Sequence, residues 1–235
     1  MNKAFVRMIG ATFAALSLAA CSSEQNGGEQ GLPRLLLGSV QEIVSSRRAG
    51  PLPKIELTPA MLAQANTAVL QINPEVRGGS DFLRRIETRR DSFGGTVEVW
   101  RASDDAQVFL RNGVVIGTRG IGGDIIAANA AVTVNALGTR RDSGGIREYT
   151  VSDGDVTATS LKFRCDIRNL GEESISLVNQ VFTTDHLRET CVSSADPTVQ
   201  FRNDYWVQKS SGLLRKSRQW MGPAVGSFEL LLLND

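Results

Sequence analysis

From Thr157 to Asn169 the chain alternates: Leu161, Phe163, Cys165 and Ile167 fall on one side, Lys162, Arg164, Asp166 and Arg168 on the other. Successive side chains of an extended strand point to opposite faces, so this pattern specifies a half-buried antiparallel strand. Similar runs occur at Ala68–Ile72, Phe82–Arg90, Thr96–Ala102, Gln107–Arg111, Val114–Thr118, Ile146–Val151, Ser174–Thr183, Val199–Gln208, Leu213–Trp220 and Ser227–Leu233. Gly-rich punctuation separates them. Asn112-Gly113 lies between two of these runs and is a strong hairpin signal, because both central residues of a type I′ turn need positive φ. Val108–Arg111 is therefore expected to pair with Val114–Thr118. So many consecutive strands without long intervening helices indicate a mainly β chain, an antiparallel meander forming a closed or partly open barrel that limits exposed edges.

Helical spacing is confined to the N-terminal part. Between Pro33 and Arg48, the residues Leu36, Leu37, Val40, Ile43 and Val44 recur every three or four positions, with Pro33 suited to a first turn and Gly50-Pro51 to its end. Thr58-Pro59 repeats the start signal, a hydroxyl N-cap followed by proline, and predicts a short helix from about Pro59 to Ala65. Ahead of both, Ser22–Gly31 is polar and Gly-containing and reads as a tether.

The first residues are an address. Lys3 and Arg7 precede an apolar run from Met8 to Ala20, the layout of a secretory signal peptide. That run is shorter than the about 20 apolar residues a membrane-spanning helix needs. Leu18-Ala19-Ala20-Cys21 resembles the lipobox of bacterial lipoproteins, in which the cysteine is acylated and becomes the mature N-terminus; an ordinary cleavage site beside a cysteine is the alternative. Several acyl chains exceed the one-chain affinity that gives only reversible binding, so the resemblance implies a stably anchored chain. Ser22, rather than Asp, follows the cysteine, which in enterobacterial-type lipoproteins points to the outer membrane. The expected division is a signal peptide over 1–20, a lipidated tether over 21–31 and a single β-rich periplasmic domain over 32–235.

Composition narrows the chemistry. With 41% hydrophobic and 22% charged residues the chain is globular in character, and 26 basic against 25 acidic groups leave no global field to recruit nucleic acid. One histidine, His186, and three cysteines argue against a multi-histidine metal centre or a zinc module, so neither metal nor cofactor is expected. Once Cys21 is lipidated, Cys165 and Cys191 form an even pair in an oxidising compartment, where a disulfide is expected. The alternative is a catalytic thiol served by His186. Nucleophile-elbow, zinc-helix and phosphate-loop motifs are absent from the sequence. Gly120, Gly122 and Gly123 read as a turn or bulge, and Asp104-Asp105 and Glu172-Glu173 as solvated loop acids rather than the spaced carboxylates of a glycosidase.

Two longer stretches carry a resemblance. The segment Arg111–Ile125, RNGVVIGTRGIGGDI, resembles the NG-hydrophobic-T-x-G-hydrophobic-x-x-D block of the YjbF/GfcB family of group 4 capsule lipoproteins, with Ile121 where leucine is common. Tyr205-Trp206-Val207 and then Gly212–Pro223 resemble that family's YW…G-x-x-x-x-S-x-Q-x-x-G-P signature, and Trp100 before Ser103-Asp104-Asp105 is consistent with a weaker third block. The resemblance implies a periplasm-facing outer-membrane lipoprotein, mostly β in fold, that is involved in assembling or exporting exopolysaccharide, and it carries over no catalytic residue.

The leading expectation is a non-enzymatic accessory of exopolysaccharide or capsule assembly or export, with the outer membrane as anchor through Cys21 and exopolysaccharide or other capsule-export proteins as partners. The alternatives are a module whose barrel encloses an apolar cavity for a lipid or lipid-linked glycan, and a polysaccharide-modifying enzyme. Trp206 and Trp220 read as core residues or as glycan platforms. Arg84, Arg85, Arg89 and Arg90 read as salt-bridged surface groups or as contacts to an anionic glycan or acidic partner. On an unbroken strand Arg84 and Arg90 share one face and Arg85 and Arg89 the other.

Overall fold

Thr58 opens the described part of the chain by capping a helix: its hydroxyl accepts the Met61 N–H at 3.3 Å, and Pro59 starts α1 (Pro59–Ala63). The computed structural model describes residues 58–153 and 157–235. The signal peptide, the tether with Cys21 and the Pro33–Arg48 segment lie outside the described residues.

Twelve strands follow: β1 (Val69–Pro74), β2 (Asp81–Arg89), β3 (Val97–Arg101), β4 (Gln107–Arg111), β5 (Val114–Arg119), β6 (Ile125–Ala128), β7 (Ser143–Asp153), β8 (Thr157–Leu177), β9 (Gln180–Ser193), β10 (Gln200–Gln208), β11 (Leu214–Trp220) and β12 (Ser227–Asn234). Their order in the sheet is β5-β4-β3-β2-β1-β12-β11-β10-β9-β8-β7-β6, antiparallel at every step. Neighbours in sequence are neighbours in space, and β1 lies beside β12. The two edges, β5 and β6, meet, so the meander curls into a nearly closed barrel.

The Asn112-Gly113 turn forms as its sequence predicts, with φ of 46° and 83° and Arg111 opposite Val114. The β5/β6 seam is closed by side chains instead of a ladder. The Thr118 hydroxyl donates to Asp124 at 3.1 Å and accepts the Ile125 N–H at 2.9 Å, while the Asp124 carboxylate also takes the Gly120 and Ile121 N–H groups. Closure therefore depends on the Thr118, Gly120 and Asp124 positions of the first block.

The inner face carries the core. Tyr149, Phe163, Phe201 and Trp220 form an aromatic cluster, with Trp220 stacked on Phe201 at 4.6 Å and edge-on to Tyr149 at 5.1 Å. The outer face carries Lys162, Arg164, Asp166 and Arg168 of β8, the reverse of the apolar outward band of a membrane-spanning barrel. No described helix is long and apolar enough to cross a membrane.

Two elements depart from the sequence expectation. A second helix, α2 (Ala131–Thr139), interrupts the strands between β6 and β7. Its Thr133, Ala136 and Leu137 are buried, and its apolar face meets Ile167, Leu187, Tyr205 and Val207, closing one end of the barrel. Strand β8 also runs past Asn169 to Leu177, because a bulge at Leu170 beside Gly171, at φ 100°, lets it bend without ending. The predicted run Ser174–Thr183 is thus the tip of a hairpin that turns at Val178-Asn179.

Candidate functional site

Arg147 on β7 and Glu189 on β9 share the inward phase of Tyr149 and of Leu187 and Cys191, and so bring opposite charges into the middle of the barrel. They are 1% and 0% exposed, with Arg147 Nη1 2.9 Å from Glu189 Oε2. The same oxygen accepts from Asn203 Nδ2 at 2.7 Å and the Tyr205 hydroxyl at 2.9 Å, while Oε1 accepts from the Thr133 hydroxyl at 2.6 Å. Four donors converge on one carboxylate, three of them on Oε2. Burial pushes the Glu189 carboxyl up, but Arg147 and these hydrogen bonds outweigh it and hold the group below its ordinary range. Burial likewise works against the Arg147 charge, and Glu189 more than offsets it. A buried carboxylate held charged by a guanidinium and three further donors is a weak proton acceptor, and the cluster ties α2, β7, β9 and β10 together. The readable signal was a charge in phase with buried apolar neighbours, and the sequence reading did not single out either residue.

Gln219 makes a second internal clasp. Its side chain accepts the Val115 N–H at 2.9 Å and donates to the Gly113 carbonyl at 2.8 Å, fastening the β4–β5 hairpin to β11. The two sequence blocks thus meet inside the barrel.

Cys165 and Cys191 stand directly opposite each other on β8 and β9 and are bonded, with sulfurs 2.04 Å apart. The thiol alternative is overturned: the sulfur is in the disulfide on the inner face, while His186 projects outward to Glu173 and Asp204 at 2.9 Å each. Cys165, Glu189 and Cys191 are the one cluster of metal-ligand types among the described residues, and disulfide formation removes its thiolates.

Trp206 lies on the outer face between two cross-strand neighbours, His186 stacked at 4.4 Å and Lys216 Nζ at 5.0 Å from the ring centre, so both indole faces are occupied. Trp220 belongs to the internal aromatic cluster. Asp104 caps the Ala106 N–H in a turn, and Glu172 and Glu173 pair with Lys209 and His186.

The arginines are sorted differently from the unbroken-strand expectation. The register of β2 against β3 shifts between Arg85 and Glu87, so Ile86 is an extra residue and the faces exchange beyond it. Arg84 and Arg89 consequently share the outward face, Arg90 falls just past the strand, and Arg85 turns inward opposite Trp100. Its guanidinium lies 2.8 Å from Glu98 and 2.5 Å from Asp235, and 5.7 Å from the Trp100 ring centre; Trp100 Nε1 donates to the other Glu98 oxygen at 3.2 Å.

These polar groups rim a cavity of about 340 Å³ at the α2 end of the barrel. Leu70, Trp100, Leu110 and Leu230 form its barrel wall, and Val134 and Leu137 of α2 face them. The opposite end holds a smaller hollow of about 250 Å³ over Ile72, Leu83, Val108 and Phe228.

A family model described as "Group 4 capsule polysaccharide lipoprotein gfcB, YjbF" matches residues 41–233. The crystal structure of the hypothetical lipoprotein YmcC from Escherichia coli K12 superposes with a TM-score of 0.63 at 20% identity, covering 72% of this chain and 85% of that one, a likeness of fold. No curated protein matches the sequence. The family match takes in the seam, the Gln219 clasp, the disulfide and the buried ion pair, and the chain belongs to the YjbF family of group 4 capsule polysaccharide lipoproteins.

Proposed function

We propose that the protein is a non-enzymatic accessory in the assembly or export of exopolysaccharide, anchored through acylated Cys21 to the periplasmic side of the outer membrane. Family membership supplies the polysaccharide. The observation that supports the non-enzymatic reading is the engagement of Glu189: the buried carboxylate at the centre of the barrel is held charged by Arg147, Thr133, Asn203 and Tyr205. The exposed arginines at and just past the end of β2, Arg89 and Arg90, are the proposed contacts to an anionic glycan or acidic partner.

Deletion of the gene tests this reading, with surface and secreted polysaccharide measured under conditions that express the locus. Output is expected to fall, to return with the wild-type gene and to return less fully with Cys21→Ala or with Arg89→Glu/Arg90→Glu. Normal output in the deletion strain, or shortening of glycan by the purified protein, refutes it.

A further inference from the structure

The α2 end of the barrel has the form of a ligand mouth. We propose that it binds the tail of a single-chain amphiphile whose head group is uncharged and hydroxylated, a glycolipid-type ligand. This goes beyond the accessory role, which needs only an outer surface.

Three observations carry it. The first is the volume. A hollow of about 340 Å³ opens between α2 and the barrel wall, within the range of about 300–1,000 Å³ of small-molecule pockets. Its walls are aliphatic and its mouth opens between Asn112, Gly138, Gly212 and Asp235, all exposed. An apolar chain can enter there and leave its head in water.

The second observation is Gly138. Glycine weakens a helix relative to alanine, and it is normally retained for close packing or for positive φ. Neither applies in α2: a Cβ built at Gly138 meets nothing within 4 Å, and its φ is not in the left-handed region. The missing side chain widens the gap between α2 and the barrel wall.

The third observation is the charge at the mouth. Glu98 and Asp235 are matched by two guanidiniums: Arg85 touches both, and Arg215, which lies over the Phe182 ring and donates to Gln208, also acts on Asp235 through space, so no rim carboxylate is left without a cation. A carboxylate or phosphate head finds no unpaired counter-charge at such a rim, while hydroxyl donors find acceptors in Asp235 and Asn112.

The test is calorimetric titration of the full chain carrying Cys21→Ala, handled without detergent, with octyl, nonyl and decyl β-glucoside below their micelle-forming concentrations, and with decanoate. Binding is expected to tighten about fourfold per methylene, and decyl glucoside is expected to bind at least tenfold more tightly than decanoate. Gly138→Leu and, independently, Val134→Phe fill the cavity from α2; each is expected to weaken decyl glucoside at least tenfold with an unfolding midpoint no lower than that of the wild type. Binding that is absent below the micelle threshold, insensitive to chain length, stronger for decanoate, or unaffected in both folded variants overturns the proposal. Polysaccharide output is not the readout, so the outcome is independent of the deletion phenotype.

Discussion

Replacing either member of the Arg147–Glu189 pair should cost far more than replacing both, with a different pH signature from each side. In Glu189→Gln the amide oxygen can still accept from Arg147, Asn203 and Tyr205 in place of Oε2 and the N–H₂ can donate to the Thr133 hydroxyl, but Arg147 is left a buried charge with no counter-charge. Breaking a buried pair from one side costs about 3–5 kcal/mol. For a chain of this size that lowers the thermal midpoint by about 6–20 °C. In Arg147→Met the carboxylate keeps Thr133, Asn203 and Tyr205 but loses its counter-charge, so burial raises the Glu189 carboxyl above its unfolded value of about 4.3. Between those two values the folded variant holds a proton that the unfolded chain does not, and its stability therefore rises as pH falls. The deficit of Arg147→Met should be smaller at pH 5 than at pH 8, whereas that of Glu189→Gln should be equal at both, since a guanidinium does not titrate there. The double variant Arg147→Met/Glu189→Leu should recover most of the loss. Urea midpoints with unchanged m-values measure all three. A loss below about 1 kcal/mol in both single variants, or no pH dependence in Arg147→Met, would refute the argument.

Other expectations follow from separate features. Cys165→Ala/Cys191→Ala should lose about 3–4 kcal/mol by urea unfolding, since the bond closes a 26-residue separation, and the unfolded wild-type chain should show neither thiol free without reductant. Hydrogen bonds from Arg111 and the Phe93 N–H hold Asp91 down at about 2, so its contribution is complete above the unfolded value of about 3.9 and disappears as pH falls toward 2; Asp91→Asn should flatten that part of an acid-unfolding curve. Gly138→Ala should stabilise by about 0.5–1 kcal/mol, whereas Gly113→Ala should destabilise, because its φ is 83° and a Cβ would lie 2.7 Å from the Leu214 side chain. Labelled fatty acid should be incorporated into the wild-type protein and not into Cys21→Ala.

Period-two alternation carried much of the fold because one face of each strand is apolar and the other charged, which fixes both the strand and its inward side. Leu161, Phe163, Cys165 and Ile167 do face inward, and the Asn112-Gly113 turn forms where its positive φ requires. Alternation fails where a residue is inserted. Nothing in Arg84-Arg85-Ile86-Glu87 announces the bulge that moves Arg89 to the outer face with Arg84, while Arg85 keeps the inward phase of Leu83. Helix α2 was equally hidden: Ala131-Val132-Thr133-Val134 has β-branched residues that suit a strand, and its helical state is set by tertiary packing of Thr133, Ala136 and Leu137. The mouth was unreadable for the same reason, since its walls come from the inner faces of several strands and from this helix.

The sequence blocks that identify the family are spent on closing the barrel. Thr118, Gly120 and Asp124 tie β5 to β6; Gln219 grips Gly113 and Val115; Tyr205 donates to Glu189. Each joins elements distant in the chain or seals an edge that would otherwise expose unpaired backbone. A motif with such work to do marks the architecture whether or not the protein also binds a ligand. Residues that vary the chemistry are then expected outside the blocks, and the mouth is built from both kinds: Asn112, Val207, Gly212 and Leu214 belong to the blocks, whereas Arg85, Glu98, Val134, Leu137, Gly138 and Asp235 fall between or beyond them. Members of one family can therefore share the barrel and its clasps while admitting different molecules, and ligand differences within the family are expected to map to β2, β3 and α2 rather than to the signature residues.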